Sequence, residues 1–123
     1  MHMEKESRSV DKINDDIKSA GQSFLGLYLE DIINRFSELE DKALKNKLID
    51  EYYTKQYGFS DKHEGGTRTR VNAAIRIIRA DKAIYALKMI DGSDPRVAQG
   101  AVDNAKETLK KIQIGELILP TLK

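Results

Sequence analysis

Residues 65–90 read GGTRTRVNAAIRIIRADKAIYALKMI, and how this stretch is parsed decides what kind of molecule the chain forms. From Val71 onward apolar residues recur at three- and four-residue steps. Val71, Ala74, Ile75, Ile78, Tyr85 and Met89 fall on one flank, and Ala73, Ile77, Ala80, Ile84 and Leu87 on the other. So wide an apolar arc belongs to a helix covered by more than one neighbour. The spacing predicts a single helix, capped by Thr67 or Thr69 and running to Ile90 or Asp91, where Gly92 stops it. Its remaining face carries Arg68, Asn72, Arg76 and Arg79, a basic stripe. Arg70 and Asp81 lie inside the arc but three turns apart, so each needs a partner from a neighbouring helix or a two-fold copy.

On the N-terminal side, residues 22–57 carry the longest helical pattern. Leu25, Leu29, Ile32, Phe36, Leu39 and Ala43 alternate steps of four and three, the seam of a helix packed at a shallow angle on another. Past Ala43 the seam slips: Leu44, Leu48 and Tyr52 continue it out of phase, while the old phase would bury Asn46 and Asp50. A kink or a change of partner is expected near residues 41–46. Unbroken, about 36 residues would span roughly 54 Å, so the helix either breaks or protrudes, and a protruding apolar stripe needs a second chain. A shorter helix is expected over 9–20, with Ser9 as N-cap, Val10, Ile13, Ile17 and Ala20 on one face, and Gly21 ending it. Asp11, Lys12, Asp15, Asp16 and Lys18 form its wet face. Residues 1–8 read as a disordered N-terminus or an expression remnant.

Toward the C-terminus, Asp94-Pro95 opens another helix with an N-cap and a proline at its first position. Its buried side is Val97, Ala98, Ala101, Val102, Ala105, Leu109 and Ile112, rich in small residues that permit close helix approach. Gly115 ends it. Leu117, Ile118, Leu119 and Leu122 around Pro120 suggest an extended C-terminal strap docked on the body. The expected fold is all-α: a helical bundle of about four helices, two of them long, forming one domain over 9–123 and assembling as a homodimer or higher oligomer.

Composition narrows the function. Of 123 residues a third are charged, yet 21 Lys plus Arg against 20 Asp plus Glu leave a net charge of +1. No global field draws the chain to nucleic acid or an anionic membrane, so any such affinity is local. Cysteine is absent, which removes disulfides and thiolate chemistry and fits a reducing, cytoplasmic setting. No apolar run approaches the roughly 18 residues of a membrane span, and no membrane partner is expected.

The strongest chemical signal is the helix mouth, Gly65, Gly66, Thr67, Arg68, Thr69 and Arg70, with the stripe Arg68, Arg76 and Arg79 running on from it. Free N–H groups and the helix dipole favour an anion, glycines admit it to the backbone, and arginines grip phosphate with two donors. Tyr52, Tyr53, Tyr57 and Phe59 precede this mouth and offer stacking faces for a base. Neither a Walker motif nor a dinucleotide fingerprint is present. His63, with Asp61 and Glu64 nearby, lacks the second His or Cys that a transition-metal site needs. The HEPN type of RNase does not match, since Tyr57, Gly58 and Phe59 stand where its arginine would precede His63.

Glu38-Leu39-Glu40-Asp41 resembles the first acidic element of the all-α nucleotide pyrophosphatases, to which the chain is similar in size and helix count. That resemblance implies magnesium held by helical carboxylates, with Glu38 and Asp41 on one face. The chain departs from the pattern in its second half: Asp91 and Asp94 straddle a Gly-Ser turn, and Asp103 and Glu107 are four apart. The reading carried forward is a non-enzymatic homo-oligomeric protein that binds a nucleotide or nucleic acid at the Gly/Thr/Arg mouth, with no metal, cofactor or catalytic residue. The alternatives are a protein-interaction or adaptor module without a small ligand, and the pyrophosphatase-like enzyme.

Overall fold

A computed structural model describes residues 10–57, 65–90 and 97–120, and every regular element among them is helical. In order these are α1 (Val10–Ala20), α2 (Gln22–Asn34), a 3-10 turn (Phe36–Glu40), α3 (Lys42–Tyr57), α4 (Gly65–Arg79), α5 (Ala83–Lys88) and α6 (Gln99–Gln113). One continuous hydrophobic core draws on all of them.

The first helix follows its pattern. Ile13, Ile17 and Ala20 are buried, and Gly21 breaks the helix with φ 87°, a left-handed conformation that a side chain would strain. Asp16 departs from the expectation: instead of facing water it is buried.

The long helix expected over 22–57 is in fact two. It ends at Asn34, passes through the 3-10 turn and restarts at Lys42, so the break falls earlier than residues 41–46. The restart has a local cause in Asp41, whose Oδ1 accepts hydrogen bonds from the backbone N–H groups of Ala43 at 2.8 Å and Leu44 at 3.1 Å. That is the N-cap geometry, which satisfies two of the orphan donors of a new helix. Folding back then buries Leu39, Leu48, Ile49 and Tyr52, each worth ~1.5–3 kcal/mol when fully removed from water. The gain exceeds the cost of interrupting a helical ladder for one turn. With the break, helix length no longer argues for a second chain.

The same correction applies to the helix expected from Thr67 to Ile90. It is two helices, α4 and α5, separated at residues 80–82. Asp81 adopts φ 62°, its N–H bonding the Ile78 carbonyl at 2.9 Å while the N–H of Lys82 bonds that of Ile77 at 3.0 Å. These two bonds form a Schellman C-cap, with aspartate in the left-handed position that glycine normally takes. The turn lets Ala83, Ala86 and Leu87 of α5 enter the core. Among the described residues the four expected helices thus become six, none of them described over more than the 16 residues of α3. The expected cap at Asp94 and Pro95 lies outside the described residues. After α6, Leu117 is buried and Leu119 packs partly against the core, while Ile118 is exposed.

α2 and α6 lie in parallel and close together. Their contacts advance in step: Ser23 with Ala98, Gly26 with Ala101 and Asn104, Glu30 with Thr108 and Lys111. A Cβ placed on Gly26 would lie 2.4 Å from the Ala101 carbonyl oxygen, so the two backbones meet where glycine leaves room. Asn104 Nδ2 donates to the Gly26 carbonyl at 2.6 Å and Lys111 Nζ to Glu30 Oε2 at 3.0 Å. Gly26→Ala should therefore destabilise the fold by about 1–3 kcal/mol, because a methyl must displace backbone and not a flexible side chain. Gly100, where an added Cβ meets open space, is the matched control. Gly100→Ala should leave stability unchanged or raise it by up to ~1 kcal/mol. Urea denaturation of the two variants checks the pair, and equal stabilities would refute the tight seam.

Candidate functional site

The Gly/Thr/Arg mouth does not assemble as the sequence suggests. Gly65 and Gly66 are the first residues of α4, not a loop ahead of it. A Cβ on Gly66 would meet the Arg70 guanidinium at 3.5 Å, an ordinary contact, so no close approach demands glycine there. Thr67 is fully buried, and Thr69 alone of the two hydroxyl residues is exposed. Tyr57 is the last residue of α3, and Phe59 lies outside the described residues.

The arginines divide into structural and outward-facing members. Arg70 folds back along its helix, and its guanidinium carbon stands 5.9 Å from the centroid of the Phe24 ring, a cation–π arrangement that ties α4 to α2. Arg76 Nε donates to Asp16 Oδ1 at 2.9 Å. The Asp16 side chain is 5% exposed and that of Arg76 39%, so this ion pair accounts for the carboxylate buried in α1. Both belong to the fold. Arg68 reaches across to α3, its Nη1 donating to Asn46 Oδ1 at 2.9 Å.

That contact brings in residues the sequence reading missed. Lys45, beside Asn46, is half-buried, and burial together with the nearby Arg68 and Arg79 guanidinia holds its ammonium below the usual lysine range. Arg68 and Arg79 are eleven residues apart on α4, roughly 16 Å along the axis. Lys45 on α3 and Arg68 and Arg79 on α4 are thus near enough to act on one another electrostatically, and Asn46 accepts from Arg68. A sequence signal for it existed in the slip at residue 43, which left Asn46 in the old apolar phase and so aimed this turn of α3 at a neighbouring helix.

The aromatic residues have another place. Tyr52 is fully buried, stacked on Tyr28 with centroids 4.7 Å apart and edge-on to Phe24 at 5.9 Å. Its hydroxyl donates to Asp31, and Arg35 joins Asp31 to Glu51 at 3.3 and 2.9 Å. Burial first, then the hydrogen bond and charge of Asp31, push the Tyr52 phenol well above its ordinary value. This cluster locks α3 onto α2 and leaves Tyr52 no free face for a base.

The acidic segment also resolves into structure. Asp41 is spent as the α3 N-cap with ψ 119°, while Glu38 sits in the 3-10 turn, so the two do not share a helical face as the pyrophosphatase resemblance requires. Among the described residues no group of three or more His, Asp or Glu side chains is placed to hold a metal ion, and no helix is long and apolar enough to cross a membrane. No family model matches the chain, and neither does any curated protein or solved structure.

Two stability measurements follow. Arg76→Gln should lower unfolding free energy by about 1–3 kcal/mol, less than for a fully buried pair because Arg76 is partly solvated; a loss below ~0.5 kcal/mol would show the pair to be incidental. Tyr52 has its pKa raised in the folded state, so its contribution is fully present below the ordinary phenol value of 10.0 and is lost as pH rises above it. Tyr52→Phe should cost about 1 kcal/mol at neutral pH and flatten the decline of stability in alkali. A variant whose alkaline limb superimposes on that of the wild type would contradict the assignment.

Proposed function

We propose that the chain binds a phosphorylated ligand at the Lys45, Arg68 and Arg79 face, and a nucleic-acid strand in preference to a mononucleotide. The observation that supports this is the convergence of three cations from two helices. Like charges at close range raise one another's energy, and a phosphate between them relieves it. The axial span of roughly 16 Å suits a row of phosphates more than a single one. Contacts to phosphates carry no sequence information, so recognition through them is tolerant of sequence. This moves the site from the helix mouth to the side of α4 and keeps Arg68 and Arg79 of the basic stripe.

An adaptor role, with self-association as one form of it, has its own support in the exposed Leu27, Leu44, Ile84, Met89, Ile114 and Ile118. These are spread over α2, α3, α5 and the end of α6, and single apolar residues on a surface are ordinary. The cationic face is the more specific feature.

Binding of a short fluorescent single-stranded oligonucleotide, followed by anisotropy across a salt series, tests the proposal. Three phosphate contacts give a slope of log K against log salt of about −2. Lys45→Gln and Arg79→Gln should each weaken binding and reduce that slope by about 0.7 while leaving the melting temperature in place. Arg70→Gln and Arg76→Gln should do the reverse, lowering the melting temperature with little change in slope. No anisotropy change for the wild type at low salt, or binding indifferent to Lys45 and Arg79, would remove the proposal.

A further inference from the structure

We propose that α1 has a second seat, the α4 and α5 surface of another copy of this chain, and that Gly21 is the hinge through which two molecules exchange their first helices. The exchange is independent of the anion site.

α1 is fastened to parts of the chain far from it in sequence. It packs chiefly on α4 and much less on α2, although α2 follows it after one residue. It brings Ile13, Ile17 and Ala20 into the core. Arg76 of α4 donates to Asp16 Oδ1 at 2.9 Å, and the hydroxyl of Tyr85, on α5, donates to Asn14 Oδ1 at 2.9 Å. A second copy carries all of these partners, so a seat that fits a molecule's own α1 fits its neighbour's as well.

A single residue joins α1 to α2. Gly21 has φ 87° and ψ 136°, close to a region that glycine alone occupies readily. Helical bonding runs up to it and resumes from it: its N–H donates to the Ile17 carbonyl at 2.8 Å, and its carbonyl accepts from the N–H of Leu25 at 3.0 Å. Turning these two dihedrals to helical values joins α1 and α2 into one helix from Val10 to Asn34. That helix lifts Ile13, Ile17 and Ala20 off their own body, and the bare apolar stripe is covered when a second chain does the same. The product is an isologous dimer in which Asp16 of each copy meets Arg76 of the other.

Concentration decides between the two forms. An α1 tethered this closely sees its own seat at an effective concentration on the order of millimolar, so the wild type is monomeric at micromolar concentrations. A side chain at the hinge shifts the balance. An added Cβ at position 21 meets nothing within 4 Å, so alanine there acts through the backbone alone. Positive φ disfavours alanine by about tenfold, and the exchanged form relieves that at two hinges, tightening the dimer by about a hundredfold.

Light scattering on Gly21→Ala, refolded from urea at tens of micromolar, should give twice the chain mass. Gly115 also has positive φ and open space for a Cβ, and Gly115→Ala should lose stability while staying monomeric. Gly21→Ala remaining monomeric overturns the proposal. Charge reversal tests the exchange in chains that keep Gly21. Asp16→Lys and Arg76→Asp each set like charges against one another in a molecule's own seat, and again in a dimer of either variant with itself. An exchanged dimer of one variant with the other restores opposite charges at both seats. Refolded together, the two should form a dimer with one copy of each, seen by native mass spectrometry and melting higher than either variant alone. A mixture that melts as its separate components or stays unfolded overturns the proposal, and so does a dimer that each variant forms equally well by itself.

Discussion

Gly26 has no side chain, and the backbone of α6 occupies the space where one would stand. The rest of the architecture depends on that close approach. It sets α2 and α6 in parallel, and the polar contacts from Ser23, Glu30, Asn104 and Lys111 then follow the seam as it advances. The other faces of α2 are released to serve as a hub: Leu25, Leu29, Ile32 and Ile33 fill the core, Phe24 receives Arg70 from α4, and Tyr28 stacks on Tyr52 of α3. The stretch over 65–90, whose wide apolar arc pointed to the centre of the molecule, is buried on both flanks as two helices, α4 and α5, that share the centre with α2.

Much of the fold was legible because its signals are local. The faces of α1 and α6, the breaks at Gly21 and Gly115, and the small residues at Ala101 and Ala105 follow from spacing and backbone freedom. Periodicity marked the first interruption, through the slip of the seam past Ala43, but placed it late, and it carried no mark of the second, where the apolar arc continues across residues 80–82. The marks were there in other residues. Asp41 preceding Lys42-Ala43-Leu44 is an N-cap, but its position beside Glu38 and Glu40 made it look like part of an acidic group. Asp81 took a left-handed position that glycine usually marks, at a cost on the order of 1 kcal/mol, and nothing in an aspartate announces that choice. Asp16, read as solvated by its polar neighbours, was buried because a residue 60 positions away supplied Arg76.

The candidate site shows the same division. Arginine spacing placed Arg68, Arg76 and Arg79 on one face of α4, and the structure keeps them there. What spacing could not tell was which of them another helix would consume. Arg76 meets a carboxylate on α1, Arg70 a ring on α2, and Arg68 an amide on α3. Only tertiary structure distinguishes an arginine with a carboxylate opposite from one with a lysine nearby. Lys45 was invisible for that reason: alone on α3 it is an ordinary surface lysine, and its chemistry comes from two residues on a different helix.

The parallel pairing of α2 with α6 bears on how the molecule comes into being. Ser23 and Ala98 are 75 positions apart, and at roughly 5–20 residues per second a ribosome needs about 4–15 s to synthesise the stretch between them. Throughout that interval α2 has emerged while the helix that covers Gly26 does not yet exist. The nascent chain therefore exposes a hub with one face uncovered, and the docking of α6 is the event that closes it. A newly made molecule is open to holdase chaperones and to pairing with a neighbouring nascent chain for seconds, a vulnerability that a bundle of adjacent antiparallel hairpins would have outgrown as each hairpin left the tunnel.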